Sequence, residues 1–375
     1  MKSAYIFPIV GTVLFLFFNL YVYRSISARF TPYKGFATFR PALSLLCVAL
    51  AILDAIFFAG FGLNGSFKNE LLYKLCVFCM AASFSLFFIC LAYDVLSAAA
   101  HVVKFSQNRR KFLKTFIDVT FVIMAFSYIF KGLYNALKIP KITEREIKIK
   151  SLARELSFVV ISDVHLGEFL KKEFLQGVVA QINSLSFDAL LIVGDMFDLR
   201  SDELGDILQP LEAIKKPIFF VTGNHEYYRG DASGLIAAMQ KAGVRVLQNE
   251  SVEFEGLNLM GVHDLSGFRF GYMQPDLSAA LAQTDPDKPK ILLAHQPKYV
   301  VDFVRDEVDL CICGHTHAGQ IFPWTLLVLL SQKYLYGLYN DGLKQIYVSS
   351  GVGFWGPPIR VFADAEIALL KLRKA

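Results

Sequence analysis

Cysteine is too scarce and too apolar in its settings to build a disulfide scaffold. Of six cysteines, Cys47, Cys76, Cys79 and Cys90 fall in hydrophobic runs, and Cys311 and Cys313 sit on a strand-like segment. An excess of one charge is also missing: the net charge is only +5, and the basic residues cluster beside apolar runs. That pattern reads as a topology signal rather than a nucleic-acid footprint, so no nucleic-acid partner is expected. Charged residues make up 19% of the chain against 54% hydrophobic ones, and the mean hydropathy is +0.44. This is too apolar for an ordinary soluble protein. The excess lies in the first part of the 375 residues, which implies a membrane region followed by one globular domain. No clear small-x-small cleavage site follows a short core, so the first apolar run is expected to be retained rather than removed as a signal peptide.

Four runs are long enough to cross a bilayer, at residues 5–23, 41–63, 71–95 and 116–137. Arg24, Arg29, Lys34 and Arg40 lie between the first two, and Lys104, Arg109, Arg110, Lys111 and Lys114 between the last two. Between the second and third only Lys68 and Glu70 stand out. The positive-inside rule puts both basic connections in the cytoplasm and everything after Leu137 on the other side. Asp54, Asp94 and Asp118 fall in or near spans with no evident basic partner, and an ionisable group there is a functional candidate by default. Cys76 and Cys79 have helical spacing inside an apolar run and read as small buried hydrophobes.

Residues 138–156 form a charged stretch read as a connector, and the globular domain is expected over 157–375. There, apolar runs short enough for buried strands alternate with helical patterns at Glu168–Ile182, Glu203–Ile214 and Gly234–Ala242, which predicts an α/β fold. The pivot is Leu190-Leu191-Ile192-Val193-Gly194-Asp195, a buried-strand pattern delivering a carboxylate at its end. Four other strand-like runs end in the same way. Asp163 and His165 follow Phe158–Ile161, Asn224 and His225 follow Pro217–Val221, His295 follows Ile291–Ala294, and His315 and His317 follow Val308–Cys313. Carboxylates, imidazoles and an amide oxygen without thiolate suit Mn, Fe or Zn.

Asp163-x-His165, Gly194-Asp195-x-x-Asp198, Gly223-Asn224-His225-Glu226, His295 and Gly314-His315-Thr316-His317 together resemble, in order, the signature of the calcineurin-like metallophosphoesterases. The resemblance implies a β-sandwich flanked by helices and two divalent metal ions. Asp163, His165, Asp195 and His317 would hold one ion, and Asp195, Asn224, His295 and His315 the other. It further implies hydrolysis of a phosphoester by a metal-bridging hydroxide, with the non-ligand His225 protonating the leaving oxygen and Asp198 or Glu226 orienting it. Ile161–Gly167, Gly314–Gln320, Tyr347–Gly353 and Pro357–Arg360 look like the membrane-associated or twin-arginine-exported bacterial branch, with Ala318 where glycine is frequent. Asn108–Lys114 itself resembles a twin-arginine signal, Asn108 standing where Ser or Thr is usual. The chain is thus expected in a bacterial cytoplasmic (inner) membrane with an extracytoplasmic catalytic domain. His101 and His263 lie outside the signature, and His263 is read as structural.

Substrate is less legible. The interval from His225 to His295 is too short for a large cap, and Tyr228 and Arg229 directly follow a ligand loop, where an arginine can clamp a phosphate. Ile321–Leu330, followed by Lys333, Tyr334, Tyr336 and Tyr339, is either a core helix or an exposed apolar lip admitting a lipid phosphoester. A phospholipid or lipid-linked pyrophosphate is the favoured substrate class. A membrane sensor or carrier with a phosphoesterase output, and a non-hydrolytic phosphoryl-binding module, are the alternatives.

Overall fold

The structure, a computed structural model, describes residues 6–64, 69–102 and 107–375. Tyr5, Lys68 and Lys104, used above to bound the first span and to weigh the loops, lie outside the described residues. The chain divides into two compact units, residues 1–134 with 356–359, and residues 135–355 with 360–375.

The first unit is built from α1 (Ile6–Phe30), α2 (Phe36–Asn64), α3 (Glu70–Val102) and α4 (Gln107–Leu137). All four are long and apolar enough to span a membrane. Each extends past the apolar run that announced it. Arg24 and Arg29 therefore lie on α1, and Asn108–Lys114 forms the opening turns of α4. Arginine and lysine are good helix formers whose long stems keep the charge at the interface, so they do not end a helix. Two carboxylates that lacked visible partners have them: Arg29 pairs with Asp94 at 3.2 Å, and Lys114 with Asp118 at 2.7 Å. The pairs join residues 65 apart and four apart, and only the second spacing is readable along one helix. The Arg29 guanidinium also stacks on the rings of Tyr93 and Phe121.

The second unit is a mixed α/β sandwich. Its strands are β1 (Lys141–Ile149), β2 (Leu156–Ile161), β3 (Ala189–Val193), β4 (Ile218–Val221), β5 (Arg245–Val246), β6 (Glu250–Phe254), β7 (Leu257–Gly261), β8 (Lys290–Leu293), β9 (Leu310–Cys313), β10 (Gly337–Asp341), β11 (Lys344–Val348) and β12 (Glu366–Lys374). They form two six-stranded sheets, ordered β1-β12-β2-β3-β4-β5 and β10-β11-β9-β8-β7-β6. Along the chain the strands alternate with α5 (Lys172–Asn183), α6 (Asn224–Tyr228), α7 (Ala232–Lys241), α8 (Ser266–Phe270), α9 (Leu277–Leu281), α10 (Pro297–Phe303) and α11 (Trp324–Gln332).

The strands read as unbroken hydrophobic runs because both faces are covered. Phe158, Val160, Leu191 and Val193 point into the inter-sheet core with Leu293, Leu310 and Ile312 of the other sheet. Their neighbours Val159, Ile161, Leu190 and Ile192 pack outward against α5 and α7. Cys311 and Cys313 likewise face the layer holding Tyr299 and Val300 of α10, as small hydrophobes with no disulfide. Parallel pairing of β2, β3 and β4, and of β7, β8 and β9, brings the carboxyl ends of these strands to one edge of each sheet. That is where open α/β sheets place their ligands.

Two expectations are corrected. The stretch read as a connector contains β1, which pairs in parallel with β12 over its full length. It was masked by charges proper to an edge strand, such as Glu144 and Glu146 facing Lys371 and Arg373, whereas Ile147 and Ile149 alternate inward and are fully buried. The helix expected over Glu203–Ile214 is two short 3₁₀ turns at Ser201–Glu203 and Gln209–Ala213, because Gly205 takes a positive φ and Pro210 has no N–H to donate.

A chain that starts at Leu156 is expected to be less stable than one that starts at Lys138, by roughly 3–6 kcal/mol if each of the two isoleucines contributes about 1.5–3 kcal/mol. Urea midpoints of the two fragments measure this, and equal midpoints would remove β1 from the stability of the fold.

Candidate metal centre

The strand ends bend sharply to aim side chains into a common space. Asp163 (φ 55°), His165 (50°), Asp195 (51°), His315 (70°) and His317 (50°) all occupy the left-handed region. Non-glycine residues there cost about 1–3 kcal/mol each, and such strain persists only when the surroundings over-determine it. Cross-links between strand ends supply that constraint: the Asp163 amide donates to Gly194 O (3.0 Å), that of His165 to Asp195 O (3.1 Å), and that of Gly314 to His295 O (2.9 Å). The buried carboxylate of Glu226 gathers the amides of Asp195, Met196, Phe197 and Gly223 at 3.1, 2.9, 3.3 and 2.6 Å. Glu226 thus holds the Asp195 loop and does not orient His225. Gly194 and Gly223 are needed for space: an added methyl would overlap the His295 ring at the first and the Asp195 carboxylate at the second.

Around Asp195 the hydrogen-bond inventory closes only with an added positive charge. His295 Nδ1 lies 2.8 Å from Val193 O, which only accepts, so Nδ1 carries a hydrogen and Nε2 is the nitrogen turned to the site. Nε2 faces Asp195 Oδ2 at 3.1 Å and Asn224 Oδ1 at 3.2 Å, both acceptors with the amide as oriented. The positive charge is either a second ring proton, favoured because burial is outweighed by Asp195 and Asp163, which raise His295 well above its ordinary pKa, or a metal ion in its place. Asp195, His295 and His315 offer ligand atoms within 4.8 Å of one another, as do Asp163, His165 and His317. In the latter group His165 Nδ1 donates to Asp198 (2.9 Å), so its Nε2 lone pair points at His317 Nε2, 3.2 Å away. A third close group, His165, Asp198 and His225, closes on hydrogen bonds instead. Asp198 Oδ1 accepts from His165 Nδ1 and, at 2.7 Å, from His225 Nδ1.

Charge follows the same plan. Burial works against ionised Asp195, but His295, His225 and His165 outweigh it and hold the carboxyl well below its usual range. Burial raises Asp163, and the charge of Asp195 adds to the shift. Burial lowers His225, yet Asp195 and Asp198 overcome it and push this histidine up to about 9. His315 is pushed down to about 3 by burial and by His295, which keeps it neutral with a lone pair to give. The donor set of buried carboxylates, imidazoles and an amide oxygen fits divalent metal ions.

All seven sequence-identified ligand candidates, Asp163, His165, Asp195, Asn224, His295, His315 and His317, meet at this edge, with Asp198 and His225 beside them. Asp195, Asn224, His225, His315 and His317 border a cleft of about 240 Å³ that is also lined by Tyr228, Gln320, Trp324, Val328 and Trp355. Arg229, expected as a phosphate clamp, turns instead to Glu203 at 3.3 Å and is not among the lining residues. His263 lies away from the ligand groups, near the Thr222 hydroxyl at 3.5 Å, where burial lowers its pKa to about 4. Sequence reasoning missed Arg360 as part of the site. It is fully buried, donating to the carbonyls of Gly353, Ala363 and Ser350 at 2.8–2.9 Å and of His317 at 3.3 Å, with Nη2 3.0 Å from His317 Nδ1. The available signal was an arginine between two apolar residues, Ile359 and Val361.

A model of the calcineurin-like phosphoesterase family matches residues 156–319. An uncharacterized metallophosphoesterase of Helicobacter pylori is 37% identical over 359 residues, covering 95% of this chain and 97% of its own length. One from Campylobacter jejuni is 31% identical over 372 residues, 98% of either chain. A bovine transmembrane protein with metallophosphoesterase domain is 31% identical over 394 residues, 96% of this chain and 88% of its own.

Replacing Arg360 with Gln removes the guanidinium that ties the His317 carbonyl to those of Gly353, Ala363 and Ser350 and is expected to weaken divalent-metal binding by roughly 10–100-fold, the usual effect of losing a residue that orients a ligand. Metal titration of the folded variant beside Arg360→Lys tests this, and unchanged affinity would separate Arg360 from the centre.

Proposed function

The chain belongs to the calcineurin-like metallophosphoesterases, and from that premise we propose that it hydrolyses a membrane or cell-envelope phosphoester at a dinuclear metal centre. Asp163, His165, Asp195 and His317 would hold one ion and Asp195, Asn224, His295 and His315 the other, with Mn, Fe or Zn as occupants. The observation that carries this reading is the gathering of Asp195, His295 and His315, and of Asp163, His165 and His317, into two groups whose ligand atoms lie within 4.8 Å of one another. Bound divalent ions would polarise the phosphoryl oxygens and lower the pKa of a bound water.

The chain's own residues supply the rest. His225 borders the cleft and is charged through neutral pH, so it has a proton for the departing oxygen. Asp198 fixes the orientation of that ring and of His165 through one oxygen. Tyr228, whose ring lies 4.9 Å from that of His225, forms a wall of the cleft.

A lipid phosphoester is favoured by α11. Its run is no core helix: Trp324, Leu326, Leu327, Leu329 and Leu330 are all exposed, and only Gln332 is buried. The same helix lines the cleft through Trp324 and Val328. An exposed apolar face continuous with the site suits acyl chains whose phosphate enters among the imidazoles. We further propose that residues 1–137 anchor the protein in a bacterial inner membrane, with the catalytic domain from Lys141 onward outside the cytoplasm. The support is the clustering of Arg24, Lys34, Arg40, Arg109 and Lys111 near the α1–α2 and α3–α4 connections.

Four outcomes are expected. In full-length protein purified in detergent, stripped of metal and reloaded, phosphoester turnover should depend on the metal and fall to background in Asp195→Asn. His225→Ala should slow alkyl phosphoesters by about 10²–10⁴-fold and p-nitrophenyl esters much less, since a good leaving group needs no proton. Leu327→Gln with Leu330→Glu should lower turnover of vesicle phospholipid at least ~tenfold, given about 1.5–3 kcal/mol per inserted leucine, while sparing soluble esters. Equal losses on both substrates would count against a lipid. Protease added to spheroplasts should digest the domain, and its protection would reverse the orientation.

A further inference from the structure

Three helices of the membrane unit each turn one polar side chain to a common point. Asn19 on α1, Asp54 on α2 and Ser83 on α3 are all buried, at 2%, 0% and 0% exposure. Asn19 Nδ2 donates to Asp54 Oδ2 at 2.8 Å and to Phe15 O at 3.0 Å. Ser83 Oγ donates to the same Asp54 Oδ2 at 2.7 Å and lies 3.2 Å from Asn19 Oδ1. Both donors therefore serve one carboxylate oxygen. Asp54 Oδ1 is buried and has no partner among the described residues.

The other two carboxylates of the spans mark the contrast. Asp94 has Arg29 and Asp118 has Lys114, each as a direct ion pair, whereas among the described residues no basic side chain pairs with Asp54. Neither protonation state gives Asp54 Oδ1 a partner among the described residues. Ionised, Asp54 carries a buried charge with no counter-charge and an empty oxygen. Protonated on Oδ2, it can donate to Ser83 Oγ, which donates on to Asn19 Oδ1, but Oδ1 is still empty. A cation on Oδ1 resolves the charge and the empty oxygen together, with Asn19 Oδ1 and the Ser83 hydroxyl as neutral oxygen donors close by.

We propose that Asn19, Asp54 and Ser83 form an intramembrane binding site for an alkali cation. One carboxylate among neutral oxygens balances a single positive charge, so the site takes a monovalent ion. Hard oxygen donors without sulfur or imidazole select an alkali ion over a transition metal. The site shares no residue with the phosphoesterase centre and stands whether or not that centre is dinuclear.

The test uses the full-length protein in detergent at constant ionic strength, with sodium, potassium or lithium chloride replacing N-methyl-D-glucamine chloride. Helix melting is followed by far-ultraviolet circular dichroism, and sodium binding is measured directly. One alkali ion is expected to raise the melting temperature in a saturable way, equally in the wild type and in Asp195→Asn. Asp54→Asn should abolish the response. Ser83→Ala should weaken apparent affinity by roughly tenfold, and it carries the test if Asp54→Asn does not fold. The proposal is overturned by the same ion response in wild type and Ser83→Ala, or by no alkali response in wild type. A response to lowered pH alone would mean that Oδ1 takes only a proton, and would overturn it too.

Discussion

The catalytic unit depends on one electrostatic constraint: acceptor groups are forced together so that only an added positive charge holds them. His295 Nε2 looks at Asp195 Oδ2 and Asn224 Oδ1 because its other nitrogen is committed to Val193 O. The arrangement is unfavourable in itself, and so are the left-handed conformations of the five site residues that carry it. Both are held by interactions elsewhere. Glu226 ties down four amides of the adjoining loops, and Arg360 spends its donors on three carbonyls and on His317. A fold that concentrates acceptors in this way stores an affinity for positive charge, which is what hydrolysis of an anionic ester requires of its metal site.

The two-sheet sandwich makes the constraint possible. With β2, β3 and β4 buried on both faces by alternating residues, the strands cannot slip register without turning core side chains toward the wrong layer. The strand ends are therefore fixed relative to one another, and a one-residue loop conformation decides where each imidazole points. The glycines before Asp195 and Asn224 do the complementary work by leaving out the atoms that would collide.

Most of this was legible in the sequence because it is local. An apolar run of strand length followed by Asp, Asn or His is a pattern within ten residues, and five such runs gave every ligand candidate that the structure brings together. What escaped was decided by distance along the chain or by surface chemistry. β1 looked like a linker because an edge strand is allowed its charges, and its partner β12 lies more than 200 residues away. The Arg29–Asp94 pair depends on two helices packing 65 residues apart. Arg360 reaches His317 across 43 residues, and nothing near it in sequence asks for a guanidinium. Arg229 erred in the opposite sense, being adjacent to a ligand loop yet captured by Glu203. The exposed face of α11 has the composition of a core helix, and only the fold tells which of the two it is.

Buried and half-buried carboxylates occur in both units, and the partner each has been given sorts them by role. Asp94 and Asp118 sit against Arg29 and Lys114, a closed arrangement in which charge is cancelled by the chain itself and nothing further need bind. Glu226 is closed in another way, by backbone amides, and its work is to hold a loop. Asp195 and Asp54 are the open cases. Each is surrounded by groups that fix its position without completing its valence: imidazoles and an amide oxygen around Asp195, an amide and a hydroxyl confined to one oxygen of Asp54. Closing either with an internal lysine would be the simpler route to stability, since an uncompensated buried charge is costly. A chain that closes two of its intramembrane carboxylates with cations of its own and leaves the third open has the means to neutralise all three. The difference therefore points to an occupant from solution at Asp54, as the same difference does at Asp195.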